Sequence, residues 1–329
     1  MLTRPYFALM LLAALGACST PATQSETDAS DVVTSDDAAN DTQHVEDDVP
    51  PADTGVSVDS GSGGDGGLVS ARPYSTRIPR NYNAATPTPL LILLHGYGAS
   101  GATQDIYFRL SNLAEQRTFL YAFPDGTLDS MSKRFWNASD ACCDFDHRAP
   151  DDVAYVNAII DDMSAHYNVD PNRIFLVGHS NGAFMSHRFA CDVSERVAAI
   201  VTLAGVPWND MSRCAPSHHV SVLQVHGDAD AVILYNGGMI GTVPYPSARA
   251  SVDGWAMRNG CTGTLAPTGM TLDLDTVLAG SETTVSSYGG CPADGASDFW
   301  TIAGGSHIPS FGATWAPSIY DWLMAHARH

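Results

Sequence analysis

The 329-residue sequence is poor in basic residues and has no long apolar run. It contains 16 Lys and Arg residues against 36 Asp and Glu residues, for a formal net charge of −20. Proteins that bind nucleic acid carry a basic surface, so this deficit excludes that class of partner. No apolar run approaches the roughly 20 residues that a membrane-spanning helix needs. Because 44% of the residues are hydrophobic, a fully disordered protein is also excluded.

Metal-binding motifs are missing as well. The sequence has no Cys-x-x-Cys pair and no His-Glu-x-x-His segment, two patterns typical of zinc sites. We therefore expect no metal ion and no other cofactor. Six of the seven cysteines follow residue 18, and an even number in an exported protein favours disulfides over free thiols.

The N-terminal residues have the pattern of an export signal. Arg4 and the apolar run 6–15 precede Leu15-Gly16-Ala17-Cys18, which resembles the cleavage site of bacterial lipoproteins. We predict a signal peptide over residues 1–18 and a lipid anchor on Cys18, which would hold the protein at the outer membrane or cell surface. A plain signal peptide cleaved after Ala17 is the alternative and would release the protein. Both place it outside the cytoplasm.

The next segment differs in composition from the rest of the chain. Residues 19–70 contain twelve acidic residues and no basic ones, with abundant Thr, Ser, Asp, Ala and Pro. Such a segment cannot bury enough apolar surface to fold, so we predict a disordered acidic linker. Residues 71–329 contain 24 acidic and 15 basic residues, a difference of 24 − 15 = 9. They are numerous enough for one catalytic domain, which we expect to be monomeric.

From residue 71 onward, apolar runs alternate with amphipathic segments. The amphipathic segment Asp152–Tyr167 predicts a helix, with carboxylates in its first turn. The apolar runs predict strands at Leu90–Leu94, Phe119–Phe123, Ile174–Val177, Ala198–Leu203, Val220–Val225 and Phe299–Ala303. This alternation predicts an α/β fold, a mostly parallel sheet with helices on both faces.

A candidate nucleophile follows the third of these runs. The segment 178–182 reads Gly-His-Ser-Asn-Gly and lies between a predicted strand and the predicted helix 183–191. A serine on a sharp strand-to-helix turn needs small neighbours, and the helix N-terminus beside it favours an oxyanion. Ser180 is therefore the predicted nucleophile of a serine hydrolase.

Two further residues complete the order typical of α/β-hydrolase triads, which is Ser, then acid, then His. Asp230 follows the predicted strand 220–225, and His307 follows the strand-like segment 299–303. Asp228 competes with Asp230 for the role of the acid. The backbone N–H groups of Tyr97, after the first long strand, and of Asn181 are the candidate oxyanion donors.

These motifs together resemble the secreted polyhydroxybutyrate depolymerase and feruloyl esterase family of α/β-hydrolases. The resemblance covers about residues 72–326. The matching segments are Pro89-Leu90, His95-Gly96, Pro124–Gly126, Trp136-Asn137, Cys142-Cys143, Asp151–Val153, Gly178–Gly182, Leu203–Gly205, His226–Gly238 and Gly304–His307. The resemblance implies a serine esterase that acts on an ester substrate through an acyl-enzyme.

The substrate stays open at this point. Polyhydroxybutyrate oligomers, feruloyl esters and acetylated polysaccharides are alternatives, and an inactive surface-binding lipoprotein is the non-enzyme reading. Two segments depart from the family pattern: Ile233-Leu234 stands in place of Val-Pro, and His307-Ile308-Pro309 lacks the usual Trp before Pro. From these departures and the absence of a polymer-binding module, we expect soluble esters to be cleaved more readily than crystalline polyester.

The positions of the cysteines predict three disulfides. Cys191 ends the helix after the nucleophile and Cys214 precedes the next strand, so we pair them. Cys261 and Cys291 flank the segment that leads to the last strand and form the second pair. Cys142 and Cys143 are left to pair with each other.

Overall fold

The computed structural model describes residues 66–328, in which most of the apolar runs lie in one nine-stranded sheet. In chain order its strands are β1 (Ser75–Arg77), β2 (Thr88–Leu94), β3 (Leu120–Phe123), β6 (Val169–His179), β7 (Ala199–Leu203), β8 (Ser221–Gly227), β11 (Leu265–Leu272), β12 (Thr283–Tyr288) and β13 (Ser297–Ile302). Two hairpins lie outside the sheet: β4 (Thr127–Leu128) with β5 (Arg134–Phe135), and β9 (Gly238–Ile240) with β10 (Val243–Tyr245).

Seven α-helices accompany the sheet in the described part of the chain. They are α1 (Gly66–Ala71), α2 (Gly101–Phe108), α3 (Leu110–Arg117), α4 (Asp152–His166), α5 (Asn181–Asp192), α6 (Ala248–Arg258) and α7 (Trp315–Ala325). Short 3-10 helices span Ser194–Arg196 and Met211–Arg213.

The strand order is β1-β3-β2-β6-β7-β8-β13-β12-β11. The six strands from β3 to β13 in this order pair in parallel, and the flanking strands β1, β12 and β11 pair antiparallel. The predicted fold class, a mostly parallel sheet of the α/β-hydrolase type, is confirmed. Each predicted strand coincides with an observed one to within a few residues, apart from Ile174–Val177, which is the second half of the longer β6. The antiparallel strands and the two hairpins were not predicted.

The strand β2 shows why the central runs are continuously apolar. Leu90, Ile92 and Leu94 belong to one buried cluster together with side chains of α4 and α5. Leu91 and Leu93 belong to a second cluster, which includes side chains of α2, α3 and α7. Successive side chains of a strand point to opposite faces, so a strand between two helical layers needs apolar residues at every position.

The predicted signal peptide, Cys18 and the linker up to residue 65 lie outside the described residues. The last predicted linker residues form α1, which packs against α4. Val69 of α1 contacts the larger apolar cluster. The predicted boundary at residue 70 therefore falls within a folded helix. Between residues 66 and 328, no helix is both long enough and apolar enough to cross a membrane.

The structure contains three disulfides, Cys191–Cys214, Cys261–Cys291 and Cys142–Cys143. These are the pairs that the positions of the cysteines predict. The first joins the last turn of α5 to the segment before β8, and the second joins the segments before β11 and after β12. The third lies in the loop between β5 and α4, where both cysteines are buried.

Candidate active site

Ser180 occupies the turn between β6 and α5. Its backbone has φ 52° and ψ −120°, a region that residues other than glycine rarely adopt. A Cβ atom on Gly178 would overlap the carbonyl oxygen of Gly182, and one on Gly182 would overlap that of Leu94. The flanking glycines are therefore required by the close approach of three backbone segments. This packing holds the strained turn and presents the Ser180 hydroxyl beyond the end of the sheet.

His307 joins Ser180 to Asp230. The Nε2 atom of His307 lies 3.0 Å from the Ser180 hydroxyl oxygen, and its Nδ1 atom lies 2.8 Å from Oδ2 of Asp230. The three residues follow β6, β8 and β13, whose carboxyl ends share one edge of the sheet. Residues that are 127 positions apart in sequence are thereby brought into hydrogen-bond contact.

The structure distinguishes the two candidate acids. Asp230 is buried and contacts His307, whereas Asp228 is exposed. The carboxylate of Asp228 instead accepts a 2.6 Å hydrogen bond from the backbone N–H of Gly304, three residues before His307. Asp228 thus holds the histidine loop, and Asp230 is the carboxylate that contacts the imidazole.

The environment of Asp230 favours its ionised form. Its Oδ1 atom accepts hydrogen bonds from the backbone N–H groups of Val232 and Ile233 at 2.8 and 3.0 Å. Burial by itself would raise the pKa of Asp230, but hydrogen bonds from His226 and His307 outweigh it and hold that pKa well below its usual range. Asp230 therefore carries its charge throughout the neutral range.

The two candidate oxyanion donors are backbone N–H groups of segments next to Ser180. Among residues 66–328, the backbone N–H groups of Tyr97 and Asn181 have no hydrogen-bond partner. The loop that carries Tyr97 lies against the serine, since a Cβ atom on Gly96 would be 3.4 Å from the Cβ atom of Ser180. Asn181 is the first residue of α5, where backbone N–H groups have no acceptor within the helix. Both groups can therefore donate to an oxygen bound at Ser180.

The comparisons with known proteins agree with this geometry. Residues 81–240 match the α/β-hydrolase family described as Phospholipase/Carboxylesterase. The chain is 28% identical over 200 residues to feruloyl esterase B of Piromyces equi, across 58% of this chain and 36% of that protein. It is 27% identical over 257 residues to feruloyl esterase D of Neurospora crassa, across 73% and 75% of the two chains.

These matches support a feruloyl esterase-like α/β-hydrolase. The names of these relatives support a carboxylic ester hydrolase. The chain spans little more than a third of the Piromyces equi protein. Among solved structures, the acetyl xylan esterase from Aspergillus awamori matches with a TM-score of 0.56 at 16% identity, across 76% of this chain and 93% of that chain. At that identity the likeness concerns the fold alone.

In this α/β-hydrolase, Trp136 connects the two loops that carry the oxyanion candidates. The Asn181 side chain accepts from the backbone N–H of Trp136 at 2.7 Å and donates to its carbonyl oxygen at 2.9 Å. The Trp136 indole Nε1 donates to the carbonyl oxygen of His95 at 3.0 Å, two residues before Tyr97. These contacts link the two loops through one fully buried side chain.

Asn137, the residue after Trp136, is held by an ion pair between Arg72 and the buried Asp152. Asp152 contacts Arg72 at 2.7 Å through one carboxylate oxygen and accepts the backbone N–H of Asn137 at 2.7 Å through the other. The sequence suggested helix-start roles for Asp151 and Asp152. Asp151 is the N-cap residue and accepts from the backbone N–H of Ala154, whereas the Asp152 side chain is buried under Arg72. No local pattern reveals this pair, because its members are 80 residues apart.

Two residues that line a cavity of about 530 Å³ contact the side chains of Asn181 and Tyr97. Cys142 lines it and has its sulfur 3.6 Å from Nδ2 of Asn181. Phe145 also lines it and packs edge-on against the Tyr97 ring, with centroids 5.4 Å apart. Trp208 forms another part of the wall. The described residues contain no cluster of three or more His, Cys, Asp or Glu side chains that could hold a metal ion.

Proposed function

We propose that this chain is an extracytoplasmic serine esterase in which Ser180 is the nucleophile, His307 the general base and Asp230 the acid. The observation that carries the proposal is the continuous chain of hydrogen bonds from Ser180 through His307 to the buried Asp230. A nucleophile, a base in contact with it and a group that orients the base are the elements of nucleophilic acyl transfer.

In the first half of the reaction, the Nε2 atom of His307 takes the proton of the Ser180 hydroxyl. The serine oxygen then attacks the ester carbonyl and forms a tetrahedral intermediate. Asp230 accepts the Nδ1–H of His307, which keeps Nε2 unprotonated before attack and stabilises the imidazolium after it. His307 next donates the proton to the leaving alcohol, and an acyl-enzyme remains.

The second half repeats these steps with water. His307 removes a proton from the water, the hydroxide attacks the acyl-enzyme, and Ser180 leaves with the proton restored. In both halves, the N–H groups of Tyr97 and Asn181 stabilise the oxyanion. One such donor contributes about 2.7–4 kcal/mol in measured cases. The scheme uses only side chains, backbone and water.

For the substrate, we propose phenolic or acetyl esters of plant polysaccharides. The names of sequence relatives, which include feruloyl esterases and a bifunctional acetylxylan esterase/xylanase, support this class. The cavity lined by Cys142, Phe145 and Trp208 lies next to the oxyanion candidates and offers an aromatic wall to a part of the ester beyond its carbonyl. Hydroxyalkanoate esters of the polyhydroxybutyrate type are the second candidate, on the motif resemblance.

We also propose that the protein is exported and anchored by lipid on Cys18. Three disulfides support export, since they persist in oxidising compartments. The segment around residues 15–18 supports the anchor. The variant Cys18→Ala should move the protein from the membrane fraction to the soluble fraction without changing turnover. Retention in the membrane fraction would contradict the anchor.

The activity is tested by hydrolysis of p-nitrophenyl acetate with the wild type and with Ser180→Ala. We expect turnover by the wild type and its loss in the variant. A wild type without activity would favour the surface-binding alternative.

The substrate class is tested on methyl ferulate, acetylated xylan and crystalline polyhydroxybutyrate. Rapid clearing of the polyester, with negligible activity on the other two, would contradict the proposed class.

A further inference from the structure

A row of buried polar side chains lies behind Asp230. Trp255, His187, Gln224 and His226 are all fully buried and lie in α6, α5 and β8. Successive contacts are Trp255 Nε1 to His187 Nδ1 at 2.9 Å, His187 Nε2 to Gln224 Oε1 at 3.3 Å, Gln224 Nε2 to His226 Nδ1 at 3.3 Å, and His226 Nε2 to Asp230 Oδ2 at 3.3 Å. A row of polar groups this deep in a core is costly unless each donor finds an acceptor.

The first contact determines the tautomer of His187. The indole nitrogen of Trp255 can only donate, so Nδ1 of His187 must accept. His187 then carries its proton on Nε2 and donates it to Oε1 of Gln224. Burial lowers the pKa of His187 to about 4, which keeps the ring neutral and able to accept from Trp255.

The orientation of the Gln224 amide in turn determines the tautomer of His226. Its Nε2 atom lies 3.0 Å from the carbonyl oxygen of Gly205, which can only accept, so this atom is the nitrogen of the amide. The nitrogen also faces Nδ1 of His226, which must therefore accept. His226 is left with its proton on Nε2, and this nitrogen faces two acceptors, the carbonyl oxygen of Ile233 at 2.8 Å and Asp230.

We propose that His226 is a positioning residue of the triad, held by Trp255, His187 and Gln224 in the tautomer that donates toward Asp230. The inference rests on the proposed function for the role of Asp230. The Oδ2 atom of Asp230 accepts from His307, while two backbone N–H groups bind Oδ1. The Nε2 atom of His226 lies 3.3 Å from the same Oδ2 atom. The carboxylate is thereby held ionised and in one orientation, so that the Nδ1–H of His307 has a fixed acceptor.

The tautomers can be tested without any activity measurement. Proton–nitrogen correlation spectra of protein with isotope-labelled histidine distinguish Nδ1–H from Nε2–H rings. We expect both rings to carry a slowly exchanging proton on Nε2, and His187 to stay neutral between about pH 5 and 8. An Nδ1–H ring at either position, or titration of His187 in this range, would overturn the proposal.

The role in catalysis is tested with two variants at the same position. In His226→Gln the amide can still donate toward Asp230, whereas in His226→Met the donor is lost at similar volume. We expect kcat to fall about ten- to hundredfold in His226→Met with little change in KM, because one hydrogen bond to a charged group is lost. His226→Gln should retain most of the activity. Equal losses in the two variants would mean that His226 only fills space.

A substitution at the far end of the row keeps the test available if the His226 variants do not fold. Trp255→Phe removes the indole donor and frees His187 to change tautomer, so kcat should fall severalfold with KM unchanged. Trp300→Phe is the matched control, since Trp300 is also buried and its indole N–H has no partner among residues 66–328. Equal kcat in the two variants would overturn the proposal. A wild type and variants that are all inactive would instead count against the proposed function.

Discussion

The surroundings of Asp230 and of the candidate oxyanion donors differ in how many of their polar groups have hydrogen-bond partners. Around Asp230, two backbone N–H groups and His307 donate to the carboxylate, and the polar row that begins at Trp255 ends with His226, whose Nε2 atom lies 3.3 Å from it. On the oxyanion side, the N–H groups of Tyr97 and Asn181 have no partner in the described chain. The negative charge of Asp230 is therefore already surrounded by hydrogen-bond donors. The donors left free are those that a charge formed during reaction would need.

Removing the nucleophile or the base should have the largest effect, because the serine can then no longer attack the ester and form the acyl-enzyme. We expect Ser180→Ala and His307→Ala each to lower kcat about 10⁴- to 10⁶-fold, since triad members act as a unit. The measurement is the steady-state rate on p-nitrophenyl acetate, with circular dichroism to check folding. Residual activity within tenfold of the wild type in a folded variant would contradict the assignment.

The next prediction compares the carboxylates of Asp228 and Asp230, which are two residues apart. Asp230→Asn should lower kcat about 10⁴-fold, as loss of the orienting carboxylate does in serine proteases. Asp228→Asn should lower kcat by about tenfold at most, because the carboxylate only accepts one backbone N–H on an exposed loop. A larger loss in Asp228→Asn would show that the acid has been assigned to the wrong residue.

The oxyanion side is tested through Trp136. In Trp136→Phe, the hydrogen bond to the His95 carbonyl is lost, and the loop that carries Tyr97 is released from its spacing. We expect kcat to fall about tenfold with KM nearly unchanged, because the donors act mainly in the transition state. The control is Trp300→Phe, which removes an indole of equal size whose N–H has no partner in the described part. Similar kcat values for the two variants would mean that Trp136 acts only through packing.

The smallest effect on activity is expected at the N-terminus. A protein that begins at Leu68 retains Arg72 and should be as active as the longer chain.

Replacing Arg72 by Met should lower the free energy of unfolding by about 3–5 kcal/mol, because the buried Asp152 loses its partner. The matched variant Arg196→Met breaks a surface pair with Asp161 and should cost less than about 1 kcal/mol. Urea unfolding measures both, and equal losses would contradict the role of the buried pair.

Much of the fold and the main site residues could be predicted from the sequence. The run 90–94 is apolar at every position because both of its faces are covered, so the pattern itself indicates a central strand. The pattern of glycines around Ser180 is local in the same way, since a side chain at either flanking position would collide with backbone. The flanking antiparallel strands β11 and β12 were missed, because β11 is mostly exposed and has no apolar alternation to reveal it.

The parallel strands of the sheet, the turn that carries Ser180 and the candidates for acid and base could all be proposed from local patterns in the sequence. Each of these depends on residues that are close in the chain, where composition and spacing act directly on the backbone. The contact of Asp230 rather than Asp228 with His307, and the position of Trp136 between the two candidate oxyanion loops, are visible only in the folded chain. Folding also aligns His187, Gln224 and His226 behind the acid. These relations join residues from different elements, and a hydrogen bond between distant segments leaves no local pattern because it depends on how the helices pack on the sheet.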